Sequence, residues 1–290
     1  MARHLTRRMG TVRHFLDAIK FEHTVFALPF AYVAMVLAAD GWPGWRVAIW
    51  VTLAMAGART LAMSVNRFAD RMIDADNPRT AGRHLPQGLL KPWHMLAAAI
   101  LSAALLAVSA WQLNPLCVKL APWATLFLIG YSYTKRFTWT SHWILGFTDG
   151  IASAGGWIAV RGSFAAPAFV LWFALTVWIA GFDLIYACQD VEVDRRVGLK
   201  SFPACFGIAA ALRAAQVCHV LTVAAFAALG VMMGLGWLYW VGVVAVGGLL
   251  IYEHSLVSPD NLSRLDVAFF NVNGYIALIL FAAVVGGRFV

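Results

Sequence analysis

Charged residues are scarce in this chain of 290 residues. Asp, Glu, Lys and Arg together make up only 12% of it, whereas hydrophobic residues make up 61%. Soluble domains carry about 25% charged residues, so this composition excludes an ordinary soluble protein. Cysteine is also rare, and the four cysteines show no paired spacing. The sequence therefore gives no support for a structural zinc site or a disulfide framework.

Long polar segments are missing as well. A helix needs roughly 20 mostly apolar residues to cross a bilayer. The apolar stretches that meet this need lie near residues 22–39, 46–65, 95–113, 117–134, 143–160, 167–188, 210–233, 236–253 and 267–286. We therefore predict an all-α membrane protein, with nine transmembrane helices in a single domain over residues 1–290.

The basic residues fall mainly on one side of these predicted spans. Seventeen of the 22 Lys and Arg residues lie before the first span or in connections on the same side. Because cytoplasmic loops are enriched in Lys and Arg, the N-terminus is predicted to be cytoplasmic. The first residues lack the pattern of a cleaved signal peptide. The net charge of +8 is thus a topology signal, and we do not predict nucleic-acid binding.

A stripe of oxygen-bearing side chains directly follows the second predicted span. Asn66, Asp70 and Asp74 are spaced by four residues, so on a helix they form one vertical row. The Asn77-Pro78 pair is expected to end that helix, since Pro disfavours a helical conformation in the residue before it. Carboxylates interleaved with arginines at the end of a span suggest a divalent metal beside a charged substrate.

A second acidic segment follows the sixth predicted span on the same side. Asp190 and Asp194 repeat the four-residue spacing of the first row. The repetition suggests a weak internal duplication, with halves of about 20–140 and 141–290. We expect the two rows to face each other across a central cavity. Duplicated halves also occur in transporters, so this feature alone does not define the function.

The two rows together place four carboxylates in one region. They would repel one another strongly at low dielectric, and two Mg²⁺ ions would cancel their formal charge. Mg²⁺ commonly bridges a few carboxylates to substrate phosphates. Basic residues near the rows that could hold further phosphate charge are Arg67, Arg71, Arg79, Arg83, Lys135, Arg136 and Lys200. The pattern predicts a diphosphate–metal site at the membrane surface; a charge-paired loop is the alternative.

Two ionisable residues lie deeper in the predicted spans. Arg59 precedes Asn66 by seven residues, and Asp183 precedes Asp190 by the same interval. Each therefore lies on nearly the same helix face as its row and about 10 Å deeper. Because ionisable residues within spans usually face a polar cavity, we predict that Arg59 and Asp183 line a pocket for a polar second substrate. Asp149 is a further candidate, and a buried ion pair is the alternative.

The polar connections contain four distinctive motifs. They are Asn66-x-x-x-Asp70-x-x-x-Asp74, Arg83-x-Leu85-Pro86-x-Gly88, Tyr131-x-Tyr133-x-Lys135-Arg136-Phe137-Thr138 and Asp183-x-x-Tyr186-Ala187-x-x-Asp190-x-x-x-Asp194-x-x-x-Gly198-x-Lys200-Ser201. Over nearly the whole chain, this pattern resembles the UbiA family of intramembrane aromatic prenyltransferases. The resemblance implies nine helices around a central cavity, two Mg²⁺ ions and a polyprenyl diphosphate donor. The family's usual Asn-Asp start of the first motif is here Asn66-Arg67.

The resemblance also implies roles for individual residues. The metal-binding and catalytic candidates are Asp70, Asp74, Asp190 and Asp194. The resemblance and the spacing argument above together give the substrate-binding candidates, which are Asn66, Arg59, Arg67, Arg79, Tyr131, Lys135, Asp183, Tyr186 and Lys200. The implied reaction is an electrophilic aromatic substitution by an allylic cation, which tyrosine ring faces could shield. The alternative for such tyrosines is an aromatic belt at the membrane interface.

Within the family, the chain resembles the branch that prenylates 4-hydroxybenzoate. Three strings are closer to prenyltransferases of the futalosine route to menaquinone: Phe21-Glu22-His23-Thr24, Asn77-Pro78-Arg79-Thr80 and Gln189-Asp190-Val191-Glu192. We therefore predict prenylation of 4-hydroxybenzoate or 1,4-dihydroxy-6-naphthoate for ubiquinone or menaquinone synthesis. The enzyme would lie among the lipids of the inner (plasma) membrane, with its active site cytoplasmic. The alternatives are another acceptor, such as haem or 1,4-dihydroxy-2-naphthoate, or a transporter with the acidic rows as its ion site.

Overall fold

The computed structural model describes residue 10 and residues 13–19 and 24–287. The predictions for the basic segment before residue 10, and for the string Phe21-Glu22-His23, lie outside these residues. Within the described residues the chain is helical. Apart from an isolated bridge between Ser258 and Asn261, this part of the chain contains no β-structure.

The described residues form nine long and two short α-helices after a helical turn at 13–18. The long helices are α1 (Thr24–Ala39), α2 (Trp45–Asp76), α3 (Pro92–Leu113), α4 (Pro115–Thr134), α5 (Ser141–Arg161), α6 (Ala166–Ala187), α9 (Ile208–Met233), α10 (Trp237–Ser255) and α11 (Asn273–Gly287). The short helices are α7 (Val191–Val197) and α8 (Phe202–Phe206). A 3₁₀ turn, Cys188–Asp190, precedes α7, and a π-helical segment, Val267–Val272, precedes α11.

Seven helical segments of the described chain are long and apolar enough to cross a membrane. They comprise α2, α3, α4, α6 continued through α7, α9, α10, and α11 with its preceding π-helical segment. The apolar part of α1, Leu28–Ala39, is shorter, and α5 is not among the seven. The prediction of an integral, multi-pass, all-α membrane protein is thus confirmed. The nine long helices coincide in position with the nine predicted spans, whereas nine membrane crossings remain a prediction.

The inside of the bundle is formed by α1 and α6. Phe30 and Leu37 of α1 are almost completely buried, as are Leu171 and Leu175 of α6. Packing explains this burial, because α1 contacts α2, α5 and α11, while α6 contacts α5 and α9. A helix that is apolar on all sides is expected in such a position. By contrast, α3 and α4 expose large apolar side chains, as membrane-facing helices do: Ile100, Leu101, Trp111 and Trp123.

The first acidic row lies on one continuous helix. α2 runs past the predicted end of the second span to Asp76, so Asn66, Asp70 and Asp74 share one helix face. Asn77 is the C-cap, and its N–H donates to the carbonyl oxygen of Ile73 at 3.2 Å. The predicted end of the helix at the Asn-Pro pair is confirmed.

The second acidic row spans a change of helix type. Asp190 ends the 3₁₀ turn after α6, and Asp194 lies in α7. The chain leaves α7 at Gly198, whose φ of 75° lies in the left-handed region that glycine adopts without steric cost. The turn directs the following residues toward the end of α4, where the Lys200 N–H donates to the Lys135 carbonyl at 2.7 Å.

A glycine on α5 permits close packing against α6. A Cβ atom at Gly146 would overlap the backbone carbonyl oxygen of Thr176. Gly146→Ala is therefore expected to lower the free energy of unfolding by about 1–3 kcal/mol, because backbone atoms cannot rotate away. The matched control is Gly155→Ala on the same helix, where a Cβ meets nothing within 4 Å. Equal melting temperatures for both variants in detergent would contradict this packing.

Candidate active site

The two aspartates of the first row contact basic side chains from other segments. Asp70 is only 2% exposed, and its carboxylate accepts hydrogen bonds from Lys135 Nζ at 2.5 Å and Arg136 Nη2 at 2.9 Å. Asp74 accepts from Arg83 Nη1 at 2.6 Å. Lys135 and Arg136 directly follow α4, and Arg83 belongs to the loop between α2 and α3. The charge of the first row is thus compensated by basic residues from the segment after α4 and from the loop between α2 and α3.

Asp190 of the second row is held by the loop that follows the first row. Arg79 Nη2 and Nε donate to its two carboxylate oxygens at 2.6 and 3.0 Å. Asn77 Nδ2 adds a third hydrogen bond at 2.9 Å. Two parallel N–H···O bonds form the planar pairing that is specific to arginine and carboxylate. Because Asn77 and Arg79 directly follow α2, these bonds bring the ends of α2 and α6 together.

A second connection between the rows runs through the segment after α7. Ser201 Oγ donates to Asp194 Oδ2 at 2.5 Å. The adjacent Lys200 is bonded through its backbone to Lys135, and Lys135 Nζ in turn contacts Asp70. The structure therefore brings both acidic rows to the same end of the bundle, as the sequence predicted. Their roles remain predictions.

Arg79 is the positive link between the rows. Burial tends to lower the pKa of Arg79, but its hydrogen bonds with Asp190 and the charges of Tyr186, Asp190 and Asp74 raise that pKa above its ordinary value. Its Nη1 also donates to the Tyr186 hydroxyl at 2.9 Å, and its guanidinium lies 5.2 Å from the centre of the Tyr186 ring. Tyr186 is further fixed by stacking on Phe269 at 4.1 Å between ring centroids. The guanidinium therefore stays charged and well oriented.

The atoms of this site that could ligate a metal ion are oxygens. The four aspartates contribute carboxylates, and Asn66 lies beside Asp70 with its Nδ2 donating to the carboxylate at 3.3 Å. Such a set suits hard cations such as Mg²⁺ better than softer transition metals. Every one of these carboxylates already accepts a hydrogen bond from a basic or hydroxyl side chain. The residues present therefore fit divalent ions, which would compensate the carboxylate charge together with the basic side chains.

Other predicted site residues are engaged in different contacts. Arg67 is 8% exposed, and its Nε donates to the carbonyl of Ala18 at 2.9 Å. Tyr131 donates to the carbonyl of Ala62 at 3.4 Å. Lys200 is exposed, and only its backbone contact with the loop after α4 connects it to the rows. Of the predicted substrate-binding set, the side chains of Asn66, Arg79 and Lys135 contact the aspartates directly. The side chains of Arg67 and Tyr186 contact the partners of these aspartates, Asn66 and Arg79.

A cavity of about 220 Å³ lies among α2, α3, α4 and α5. Its charged lining residues, among those described, are Arg59 and Asp149. Most of the remaining lining is apolar, and Phe127, Phe147 and Trp172 contribute aromatic rings. Within the described part of the chain, the Nε atom of Arg59 is buried and has no hydrogen-bond partner. A buried donor without a partner requires a specific explanation, and a bound polar ligand would provide one.

Asp183 was predicted to line the same pocket as Arg59, but its carboxylate contacts a histidine instead. Its Oδ2 lies 2.6 Å from Nδ1 of His142, and among the described residues it is not part of the cavity lining. The Nε2 atom of His142 accepts the N–H of Phe202 at 3.2 Å, so Nδ1 carries the proton that is donated to Asp183. The cavity thus combines Arg59 with Asp149, the further candidate, and not with Asp183. The close packing of α5 on α6 turns Asp183 toward His142.

Some contacts of the site had little signal in the sequence. Asn77 was predictable only as a helix stop, yet its side chain binds a residue 113 positions away. Ser201 and His142 follow no metal-ligand or helical spacing relative to their partners. Arg83 and Arg136 were predictable only as nearby positive charge, because their positions in the sequence do not say which carboxylate each one contacts.

The sequence profile of the UbiA prenyltransferase family matches residues 27–279. The chain belongs to this family. The predicted resemblance is confirmed, and UbiA membership makes the chain a prenyltransferase. The transporter alternative draws no support from the family.

Relatives of this UbiA protein include enzymes named 4-hydroxybenzoate octaprenyltransferase. The one from Paraburkholderia phytofirmans is 30% identical over 253 residues, or 87% of each chain. The apo structure of a UbiA homologue from Aeropyrum pernix is 32% identical, with a TM-score of 0.84 over 91% of this chain and 98% of that one. A UbiA homologue from Archaeoglobus fulgidus, bound to GPP and Mg²⁺, is 18% identical, with a TM-score of 0.71 over 96% and 100%. This last likeness shows the fold alone.

Proposed function

We propose that this UbiA protein transfers a polyprenyl group from a polyprenyl diphosphate to the ring of a hydroxyaryl carboxylic acid in a Mg²⁺-dependent reaction. The observation that carries the proposal is the meeting of the two aspartate rows at one end of the bundle. The first row lies on α2, the helix that also carries Arg59 into a mostly apolar cavity. The acceptor is 4-hydroxybenzoate, which the relatives' names support, or 1,4-dihydroxy-6-naphthoate, which the string Asn77-Pro78-Arg79-Thr80 supports. Either product would enter quinone synthesis.

The proposal includes a membrane topology. All nine long helices would cross the inner (plasma) membrane around a central cavity, with the N-terminus and the aspartate rows at the cytoplasmic face. The concentration of Lys and Arg in the connections on that side supports this orientation. Two halves, about 20–140 and 141–290, are supported by the packing order, since α2 packs on α3 and α6 packs on α9.

The diphosphate of the donor would bind between the rows. Mg²⁺ held by Asp70, Asp74, Asp190 and Asp194 would neutralise negative charge that develops on the leaving group. The basic side chains that now contact these carboxylates reach the same volume. Lys135 and Arg79 in particular are placed to donate charge-assisted hydrogen bonds to diphosphate oxygens. A UbiA homologue from Archaeoglobus fulgidus binds GPP and Mg²⁺, which supports a prenyl diphosphate and a divalent ion as the ligand classes.

The acceptor and the prenyl chain would share the cavity. Arg59 lies about two helical turns from Asn66, between the aspartate rows and the apolar part of the cavity. Its buried Nε has no hydrogen-bond partner among the described residues, and the guanidinium would bind the carboxylate of an aromatic acid. Farther along the same cavity, Val51, Leu113 and Cys117 provide an apolar lining for the prenyl chain.

The reaction is an electrophilic aromatic substitution. The bond between the prenyl carbon and the diphosphate oxygen breaks, and its electron pair leaves with the diphosphate. The allylic cation is then attacked by a ring carbon next to a phenolic hydroxyl, and that carbon loses its proton. Arg79 and Lys135 stabilise the charge on the leaving group, while Tyr186 positions the guanidinium of Arg79 through its hydroxyl and its ring. The apolar walls of the cavity exclude water that would otherwise capture the cation.

The direct test is product analysis by mass spectrometry. Purified protein is incubated with Mg²⁺, a polyprenyl diphosphate and one candidate acceptor at a time. We expect a prenylated acid and an equal amount of diphosphate with 4-hydroxybenzoate or with 1,4-dihydroxy-6-naphthoate. A product formed only with haem or 1,4-dihydroxy-2-naphthoate would reject the proposed acceptors while keeping the enzyme class.

A further inference from the structure

A second group of metal-ligating side chains lies outside the candidate active site. It is found where the helical turn at 13–18 meets the loop between α2 and α3. One ligand atom from each of His14, Asp17 and His84 lies within 4.8 Å of the other two. We propose that these three side chains bind one divalent transition-metal ion of the zinc class, which fastens residues 13–19 to the loop.

The ligand types select the class of metal. Two imidazole nitrogens and one carboxylate oxygen are ligands that Zn²⁺ and Co²⁺ accept, with a further position left for water. Mg²⁺ instead prefers a shell of oxygen atoms and keeps several waters. Asp17 is exposed, and His14 and His84 are half-buried, so an ion can enter from solvent. The site thus differs in chemistry from the oxygen-only aspartate rows.

Local structure holds the three ligands in place. His14 and Asp17 are three residues apart on a helical turn, so their side chains project from one face. His84 lies in a loop that is closed by a backbone hydrogen bond from Leu90 N–H to the His84 carbonyl at 3.1 Å. The rings of His14 and His84 have their centroids 5.2 Å apart. Zinc–ligand bonds of about 2.0–2.2 Å would draw the three ligand atoms closer together than 4.8 Å.

The two segments are already in contact through apolar packing. Ala18, Leu90 and Met95 form a buried cluster against which Phe15, Phe68 and Leu85 pack. The carbonyl of Ala18 also accepts a hydrogen bond from Arg67 of α2. An ion at this place would therefore join a preformed interface, and little chain entropy would be lost on binding. It would also act one residue away from Arg83, which holds Asp74.

The binding test uses the full-length protein without a polyhistidine tag, stripped of metal with a chelator. Calorimetric titration with Zn²⁺ is performed in millimolar Mg²⁺, which occupies the oxygen-rich rows. We expect one equivalent of Zn²⁺ to bind, and we expect His14→Ala, Asp17→Asn and His84→Ala each to weaken binding by about 100-fold or more. His94→Ala is the matched control, since His94 lies at the start of α3 and bonds to Lys91.

Two further measurements separate this site from other possibilities. Co²⁺ bound to the wild type should show visible absorption bands that indicate nitrogen ligands. These bands should be absent from His84→Ala. Zn²⁺ should slow amide hydrogen exchange in residues 13–19 and 83–90 of the wild type and leave it unchanged in His84→Ala. Asp17 is exposed, so Asp17→Asn is expected to fold normally even if a histidine variant does not. The proposal is overturned if Asp17→Asn and His84→Ala bind Zn²⁺ as the wild type does, or if Asp70→Asn alone removes the bound equivalent.

Discussion

Replacing Asp70 with asparagine is expected to lower kcat/KM for prenyl transfer by about 10²- to 10³-fold. Asp70 is the most deeply buried of the four aspartates, and it meets both Lys135 and Arg136. Asparagine keeps the shape of the side chain but removes the negative charge that a divalent ion requires. Initial rates of prenylated product, measured by mass spectrometry over a range of donor concentrations, provide the value.

The matched control for this prediction lies on the same helix. Asp76 is exposed. Its backbone carbonyl accepts a hydrogen bond from Arg196 Nη2 at 2.9 Å. Asp76→Asn keeps that hydrogen bond and should retain wild-type kcat/KM. EDTA should abolish turnover of the wild type, and added Mg²⁺ should restore it. Turnover that survives EDTA, or an Asp70→Asn variant with wild-type rates, would reject the metal assignment.

Replacing Arg59 with glutamine is expected to raise KM for the aromatic acid by about 10- to 100-fold, with KM for the prenyl diphosphate unchanged. The physical reason is the loss of a charge-assisted hydrogen bond in a cavity whose walls are mostly apolar. Glutamine retains one N–H donor and much of the side-chain volume, so the cavity shape is preserved. Steady-state kinetics with each substrate varied in turn separate the two KM values.

An acceptor analogue without the carboxyl group makes this test specific. If Arg59 binds the acceptor carboxylate, the wild type and Arg59→Gln should use the analogue equally poorly. The control variant is Arg46→Gln at the other end of α2, where Arg46 is exposed and donates to the carbonyl of Gln112 at 2.9 Å. An unchanged acceptor KM together with a lower melting temperature in Arg59→Gln would instead identify Arg59 as part of a buried ion pair with Asp149.

The features of the fold that were predictable from the sequence are those encoded locally. Apolar runs give the positions of the nine long helices, and the Asn77-Pro78 pair gives the end of α2. The spacing of Asn66, Asp70 and Asp74 defines a shared helix face, because helical periodicity is a property of neighbouring residues. Both acidic rows were expected on one side of the bundle, and the contacts of Asn77 with Asp190 join them.

The features that could not be predicted depend on how helices rotate against one another. The seven-residue interval fixes the depth of Asp183 relative to its row, but it does not fix which neighbouring helix this carboxylate faces. That choice follows from the close packing of α5 on α6 at Gly146, which places His142 within 2.6 Å of Asp183. No local pattern reports such a rotation. The nine crossings, the two halves and the roles of the site residues remain predictions.

The arginine and lysine partners of the acidic rows bear on how the protein is made. Four carboxylates at the edge of a bilayer would be difficult to insert if their counter-charge had to come from solution. Here the chain carries that counter-charge itself, since Arg79, Arg83, Lys135 and Arg136 contact three of the four aspartates. The negative charge of this region is therefore largely balanced before any divalent ion binds, and an ion that binds there would displace positive side chains from the carboxylates.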